Sequence, residues 1–370
     1  MNKIKINLFS CFIEERRNSM NSYVNILENE INKSKENLFF AENNTQIINS
    51  KFKQNIKIGY KINLLYNKFI TYPNGVKKYY NEINHITDHT YAHLISKLNP
   101  ISTIITVHDI IPLILYSNKI NGITYPHYPF FFKFSISYLK LFQNIITVIN
   151  SSKNDLINYL GIQENKIDVI YNGVKEVFKP LSNKENLRIK YGIKKLSFVI
   201  LIIGTNIYKN IDTSFKVINE LIKVTEINIE TIIIKGSNNL IIPDSLLNNV
   251  TIFENIDDIV LNELYNISNC LLFPSFYEGF GWPPLEAMTC GTPTITSNAG
   301  SLREILGNNS ILVDPLDIKK MIKYIILLIE NEDFKNKVID FGFIRSSQFK
   351  MELTAENYIK FYKKLSNKIK

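Results

Sequence analysis

Two consecutive doubly wound α/β domains are what this sequence predicts, on three observations. Short apolar runs alternate with amphipathic helical stretches from one end to the other. The apolar runs, "SFVILIIGT" (197–205) foremost, are continuous instead of alternating, which is the pattern of parallel strands covered on both faces. The alternation breaks once, at the polar stretch "KEVFKPLSNKENLRIKYGIKK" (175–195), and then restarts, so the 370 residues divide into two series of β-α units. The boundary is placed near residue 180, giving domains at 1–180 and 181–350 and a closing helical segment at 351–370.

The elements follow in order. "KIKINLFSCF" (3–12) is a strand, and "NSMNSYVNILENEINKS" (18–34) a helix, with Met20, Tyr23, Val24 and Leu27 on one face. "IKIGYKINLL" (56–65) reads as a second strand. "STIITVHDI" (102–110) is a strand that delivers His108 and Asp109 at its end, where Asp109 suits the following turn as a cap. "NIITVIN" (144–150) is a strand running into the helix "SSKNDLINYLG" (151–161), and "KIDVIYNGV" (166–174) closes the half with a strand and an Asn-Gly turn. In the second half, "SFVILIIGT", "IETIIIKG" (229–236), "VTIFENI" (250–256) and "CLLFPS" (270–275) are strands with helices between them. "PPLEAMTCG" (283–291) is a short helix with prolines in its first turn and glycine at its end, and it carries Glu286 near its start. "AENYIKFYKKLSNKIK" (355–370) spaces Tyr358, Phe361, Tyr362 and Leu365 as one helical face.

Composition narrows the function classes. A chain with 45% hydrophobic and 21% charged residues is an ordinary globular protein, not a disordered one. The net charge of +9 is spread along the chain without a dense Lys/Arg block, so nucleic acid is not expected as a partner. A weak contact with anionic membrane, through the Lys-rich closing helix, is the functional reading of that charge; a solvated helix face is the plainer one. Cys11, Cys270 and Cys290 are far apart and form no C-x-x-C pair, which argues for a reducing compartment and against a disulfide framework or zinc site. No apolar run reaches the length of a membrane span, and the first residues read as a strand instead of a signal peptide. The expectation is a cytoplasmic protein, peripheral at most to the membrane's cytoplasmic face.

Chemistry should lie where strands end. "FPSFYEGFGWPPLEAMTCG" (273–291) passes from a strand end through the loop Glu278-Gly279-Phe280-Gly281 to a helix carrying Glu286. Glycines let backbone approach a ligand, and N–H groups at a helix start favour an anion. Two carboxylates eight positions apart suit hydroxyl binding, acid/base hydrolysis, or merely a polar turn with Glu286 complementing the helix dipole. "TSNAGSLREIL" (296–306) offers a further helix start. "IIGTNIYKNID" (202–212) ends a strand at Gly204 and Thr205 and places Lys209 in a loop. "HITDHTYAH" (85–93) holds three histidines and Asp88, a pattern that also admits a metal site. Asp257-Asp258 resembles a metal-binding pair and also a helix start.

These segments together resemble the family 4 (GT4, group 1) glycosyltransferases of the GT-B fold. The donor-binding segment "FPSFYEGFGWPPLEAMTCGTPTITSNAGSLREI" carries their E-x7-E pattern at Glu278 and Glu286, and the likeness continues through "GNNSILVDPLD", "TVINSSKNDLINYLGIQENKIDVIYNGV" and "VHDIIPL". "RRNSMNSYV" and "INHITDHTYAHLI" are similar to one bacterial branch, and the match runs over most of residues 1–330 in the expected order.

The resemblance implies two Rossmann-like domains facing across a cleft, with the last helix returning to the first domain. It implies a retaining, metal-independent hexosyltransferase with no cofactor beyond its nucleotide-sugar substrate. Donor binding falls on the second domain, at Gly204, Thr205, Lys209, Glu278, Gly279, Phe280, Gly281 and Glu286. Glu278 would meet hydroxyls of the transferred sugar, Glu286 the ribose hydroxyls and Lys209 the diphosphate, while His108 would face the donor sugar. His108, Glu278 and Lys209 are thus the catalytic candidates. An arginine that the family places near the Gly204 strand end has no counterpart, since Thr205 and Tyr208 stand there. Arg17, Ser19, Asp88 and His89 are acceptor-side candidates in the first domain. The donor expected first is GDP-mannose, then a UDP-hexose; the acceptor is a glycan or a lipid-linked saccharide in polysaccharide biosynthesis. Alternatives are another GT-B enzyme such as an epimerase or phosphorylase, a glycoside hydrolase, and a nucleotide-sugar-binding scaffold with a decayed site.

Overall fold

The computed structural model describes residues 3–15, 18–34, 38–45, 60–117, 130–236 and 240–369, with the side chains of residues 18, 19, 60 and 61 outside the description. The chain forms two compact units. The first comprises residues 1–118, 124–173 and 351–370, and the second 119–123 and 174–350.

The first unit is built on a six-stranded sheet, β1 (Ile4–Phe9), β2 (Phe39–Asn43), β3 (Ile83–Ile86), β4 (Thr103–Val107), β5 (Asn144–Thr147) and β6 (Ile167–Val169), in the order β2-β1-β3-β4-β5-β6. Every pairing is parallel. All five residues of β4 are buried, as a strand covered on both faces requires. Helices α1 (Asn18–Lys33), α2 (Tyr60–Tyr66), α3 (Phe130–Ser137) and α4 (Asn150–Leu160) belong to this unit, and α4 ends on Gly161 in the left-handed conformation. The last helix, Met351–Ile369, also packs here, burying Tyr358, Ile359, Tyr362 and Leu365.

One strand expectation fails. Residues 56–59 of "IKIGYKINLL" lie outside the description, and Tyr60–Tyr66 is helical. The 64, 65, 68, 69 spacing of Leu64, Leu65, Lys68 and Phe69 is that of a helical face continuing into the next turn, and it outweighs the short alternation before it. The second strand is instead Phe39–Asn43, an edge strand whose polar residues make a weak apolar signal.

The second unit repeats the plan with β7 (Phe198–Ile203), β8 (Ile229–Lys235), β9 (Val250–Glu254), β10 (Cys270–Phe273), β11 (Thr294–Ser297) and β12 (Ile311–Val313), all parallel, in the order β12-β11-β10-β7-β8-β9. Its core joins β7, β8 and β10 to α5 (Ile211–Val224) through Ile200, Ile202, Phe215, Ile218, Ile233 and Leu272. Each such side chain contributes about 1.5–3 kcal/mol by leaving water. Helix α6 (Asp258–Ile267) begins on Asp257, whose carboxylate accepts from the Val260 N–H at 2.8 Å, so the acidic pair starts a helix. The prolines of α7 (Trp282–Thr289) sit in its first turn, as read from the sequence.

The strand order reverses at one place in each sheet. In the first unit β1 and β3 are neighbours whose connections leave in opposite directions, and in the second β7 and β10 are. At such switch points the loops beyond the carboxyl ends diverge and open a crevice. Glu15 and the Asp88–Thr90 turn follow β1 and β3, while Lys209 and Glu278 follow β7 and β10.

Candidate active site

In the second unit the sequence around β7 and β10 assembles a charged pair at the switch point. Beyond β7 the chain turns at Gly204, with φ of +86°, and a Cβ there would lie 3.1–3.4 Å from the Lys209 side-chain carbons. Glycine thus permits both the turn and the close passage of the lysine stem. One 3-10 turn, Ile207–Lys209, leads to Asn210, which takes a left-handed conformation and starts α5. The Asn210 amide donates to the carbonyls of Pro274 at 3.0 Å and Pro315 at 2.9 Å, tying the β7 loop to the ends of β10 and of the strand region after β12.

Lys209 is held in this way with Nζ 2.7 Å from Oε1 of Glu278, and 13% and 8% of the two side chains remain exposed. The ammonium also lies over the Phe273 ring, 4.5 Å from its centre. The Glu278 loop is fixed from several directions. The Phe276 N–H donates to the Tyr208 carbonyl at 2.8 Å, and Ser301 Oγ donates to the Phe280 carbonyl at 2.9 Å. A Cβ on Gly300, where φ is +55°, would come within 3.0 Å of the Glu278 backbone N and O, so only glycine lets these two loops lie together.

Two buried hydroxyls at the same strand ends, Thr205 Oγ1 and Ser275 Oγ, have no hydrogen-bond partner among the described residues. A buried polar atom left unpaired costs about 1–3 kcal/mol, which a bound ligand's oxygen would relieve.

Glu286 lies in the second turn of α7, not in its first turn as the sequence suggested, because the helix already begins at Trp282. It is too far along for the dipole at the helix start to be its main interaction. Its partner is Tyr265, whose Oη donates to Oε2 at 2.9 Å. Burial pushes the Glu286 carboxyl up to about 7; the Tyr265 hydrogen bond and Lys175 oppose the rise, and Asp258 adds to it. Gly279 and Phe280 are buried in the loop, the Phe280 ring meeting Trp282 and Phe349, and Gly281 caps α7.

In the first unit His108 follows β4 and is 6% exposed. Its Nε2 lies 3.0 Å from the Thr87 carbonyl, and Ser152 Oγ donates to its own carbonyl at 3.0 Å. Asp109 accepts from the Ile111 N–H, as a cap. Asp88 caps the turn after β3, accepting from the Thr90 N–H and hydroxyl at 2.9 and 2.8 Å, and His89 packs edge-on against Phe132. Arg17 and the Ser19 side chain lie outside the described residues. The other two histidines of this segment serve the core. His85 is hydrogen-bonded through both ring nitrogens and held neutral, its pKa lowered by burial to about 3. His93 bonds the Lys68 carbonyl, and burial lowers it to about 4. Among the described residues no group of three or more His, Cys, Asp or Glu is placed to hold a metal.

The sequence did not reveal a cavity of about 340 Å³ at the first unit's switch point. Leu64, Leu65, Phe69, Phe131 and Phe132 form its apolar walls, and Glu15, Lys68 and Thr90 its polar groups. Glu15 accepts from Tyr91 Oη at 2.6 Å and from Lys68 Nζ at 3.0 Å. Aromatic faces beside a held carboxylate suit a sugar ring, whose C–H face packs on the aromatic while its hydroxyls donate.

Comparison with known proteins agrees with this geometry. Residues 183–343 match the family model described as glycosyl transferases group 1, and residues 81–176 match glycosyltransferase family 4. Over 283 residues the chain is 25% identical to the serotype-specific mannosyltransferase WbdA of Escherichia coli, covering 72% of this chain but only 34% of WbdA, so it spans about a third of that relative's length. It is 30% identical over 285 residues to an uncharacterized glycosyltransferase of Methanocaldococcus jannaschii, covering 75% of this chain and 72% of that protein. Among solved structures, Anabaena HepE in complex with UDP and glucose shares the fold with a TM-score of 0.71 at 14% identity, over 98% of this chain and 100% of HepE. No helix among the described residues is long and apolar enough to cross a membrane. The chain has the GT-B fold and belongs to the group 1 glycosyltransferases of family 4.

Proposed function

We propose that this glycosyltransferase moves a hexose from a nucleotide sugar to a hydroxyl of a glycan or lipid-linked saccharide, with retention at the anomeric carbon and without a resident metal. The observation that carries the reading is the Lys209–Glu278 pair at the β7/β10 switch point, flanked by the unpartnered hydroxyls of Thr205 and Ser275. GDP-mannose is the first donor to test because WbdA is a mannosyltransferase, and UDP-hexoses are second because HepE was solved with UDP and glucose.

Departure of a nucleoside diphosphate leaves positive charge on the sugar and negative charge on the phosphate. Lys209 exchanges Glu278 for the diphosphate and stabilises the charge that develops there, in a site where little water competes. Glu278, released, accepts from hydroxyls of the transferred sugar. Glu286, once ionised, accepts from the ribose diol. The Nε2–H of His108 donates to the Thr87 carbonyl, which orients the ring, and the histidine is the first unit's candidate for meeting a hydroxyl of the donor sugar. Retention follows if the acceptor attacks from the face the leaving phosphate occupies, its proton passing to that phosphate. The acceptor saccharide is seated by the aromatic cavity of the first unit, with Glu15 and Thr90 taking its hydroxyls. A membrane contact, if made, brings lipid-linked acceptors to this unit.

A binding protein without turnover is the second reading, favoured by Thr205 and Tyr208 standing where the resemblance implies an arginine. A thermal-shift screen with GDP, UDP, ADP and their sugar conjugates, run beside Glu286→Ala, tests the donor reading. A ligand at about a hundred times its Kd stabilises by about 2.7 kcal/mol. A shift with one nucleotide class that is lost in the variant supports it; folded protein that responds to none sinks it.

A further inference from the structure

A hydrogen-bonded chain of five side chains runs through the first unit beneath His108. Tyr362 Oη lies 2.7 Å from His85 Nδ1, and His85 Nε2 lies 2.7 Å from Thr106 Oγ1. Thr106 Oγ1 is 2.8 Å from Tyr358 Oη, which is 2.8 Å from Tyr23 Oη. The five belong to α1, β3, β4 and the last helix, and all are buried. Phenylalanine and leucine would fill this volume without polar atoms to satisfy, so the chain is a costly way to pack a helix on a sheet.

Its Tyr23 end explains what it achieves. The Tyr23 ring meets the His108 ring edge-on, with centres 5.0 Å apart and planes at 89°. The Nε2 contact with the Thr87 carbonyl fixes which nitrogen carries the proton, because a carbonyl only accepts. The orientation is kept only while the ring cannot turn over, and a perpendicular ring with its centre 5.0 Å away packs against that turning. The Tyr23 hydroxyl in turn meets Tyr358 on the last helix and also bonds Thr106 on β4.

We propose that Tyr23 and Tyr358 are positioning residues for transfer: the last helix, through the Tyr358–Tyr23 hydroxyl contact, locks the imidazole plane of His108. This rests on the reading of His108 as the group that meets the donor sugar. Neither tyrosine touches substrate; both act through the histidine.

The test compares Tyr358→Phe, Tyr23→Phe and Tyr362→Phe, alone and with His108→Ala, using release of GDP from GDP-mannose and of UDP from UDP-glucose. Tyr358→Phe and Tyr23→Phe are expected to lower kcat about tenfold with the donor KM unchanged, the size of effect a slightly misplaced group produces. Added to His108→Ala they should lower it no further. Tyr362→Phe removes a hydroxyl from the far end of the same chain and controls for stability alone; its kcat should stay near that of the unmodified protein. Nitrogen-15 spectra of the imidazoles, read without turnover, should show a second His108 tautomer or ring state in Tyr358→Phe and not in Tyr362→Phe. Equal losses in Tyr358→Phe and Tyr362→Phe, a further loss on the His108→Ala background, or an unchanged His108 spectrum would overturn the proposal. Full activity of His108→Ala would instead refute the assignment of the histidine, and the spectra would still decide whether the tyrosines hold it.

Discussion

Replacing Glu286 by glutamine should remove the loss of stability that this carboxyl causes as pH rises in the ligand-free protein. Burial raises its carboxyl from 4.5 to about 7, so the folded state holds a proton that the unfolded chain has already released between those values. Stability therefore falls as pH rises through this window, by about 3 kcal/mol in all for a shift of about 2.5 pKa units. Roughly 2.5 kcal/mol of that lies between about pH 5 and about pH 8. Glutamine keeps an acceptor for the Tyr265 hydroxyl but cannot ionise, so the penalty disappears with it. The assay is the difference in melting temperature between Glu286→Gln and the unmodified protein across that pH range. The variant should gain several degrees on its parent as pH rises, since 1 kcal/mol corresponds to about 2–4 °C for a unit of this size. A difference constant with pH would refute the reasoning, because it would mean the carboxyl is ionised at its ordinary pH within the fold. Donor affinity should move the opposite way. The ionised form is the better ribose ligand, so the Kd should weaken as pH drops below about 7 in the unmodified protein and stay flat in Glu286→Gln.

Lys209→Met should lower kcat by about a hundredfold or more, the usual loss when a charge-stabilising donor is removed, and titration calorimetry should show weaker diphosphate binding. Gly300→Ala drives a Cβ to within 3.0 Å of the Glu278 backbone in a left-handed conformation, whereas Gly192→Ala, at φ +69°, meets nothing within 4 Å. Gly192→Ala should destabilise by about 1 kcal/mol from backbone strain alone, whereas Gly300→Ala should cost more, because of its contact with the Glu278 backbone, and should also impair donor binding in the thermal-shift screen. Phe130 and Phe131 are 72% and 46% exposed on a chain carrying +9 net charge. Serine at both positions should reduce co-sedimentation with vesicles containing anionic phosphatidylglycerol, and unchanged sedimentation would remove this helix from any membrane contact.

Much of the architecture was legible because long apolar runs such as 197–205 and 270–275 have no reasonable alternative to a buried parallel strand. Lys209 and Glu278 were legible for a related reason: each follows such a strand by a few residues, where topology puts ligands. Their direct contact was not, since nothing in a spacing of 69 residues says that one loop leans on the other. Tyr265 could not be matched to Glu286 from spacing either, although its hydrogen bond holds back the rise that burial imposes on that carboxyl. The aromatic cavity was hidden twice over. It draws on loops after several strands, and the strand reading of 56–65 takes in Leu64 and Leu65, which belong to the helical wall. Tyr358 and Tyr362 were visible as one face of a helix, but their hydroxyl contacts to Thr106 and His85 span more than 250 residues.

Placing the last helix in the first unit has a consequence for biogenesis. During synthesis, residues 1–173 emerge well before Met351–Ile369, and residues 174–350 of the second unit are made in between. Until that helix arrives, His85, Thr106 and Tyr23 lack the phenol groups that satisfy them, and the sheet face it will cover is open to water. The later-made unit is thus the first that can finish folding, and the earlier one must wait as an incomplete intermediate with a sticky apolar face. A nascent chain stalled just short of residue 351 should accordingly be protease-resistant over 174–350 while remaining cleavable within the first 173 residues.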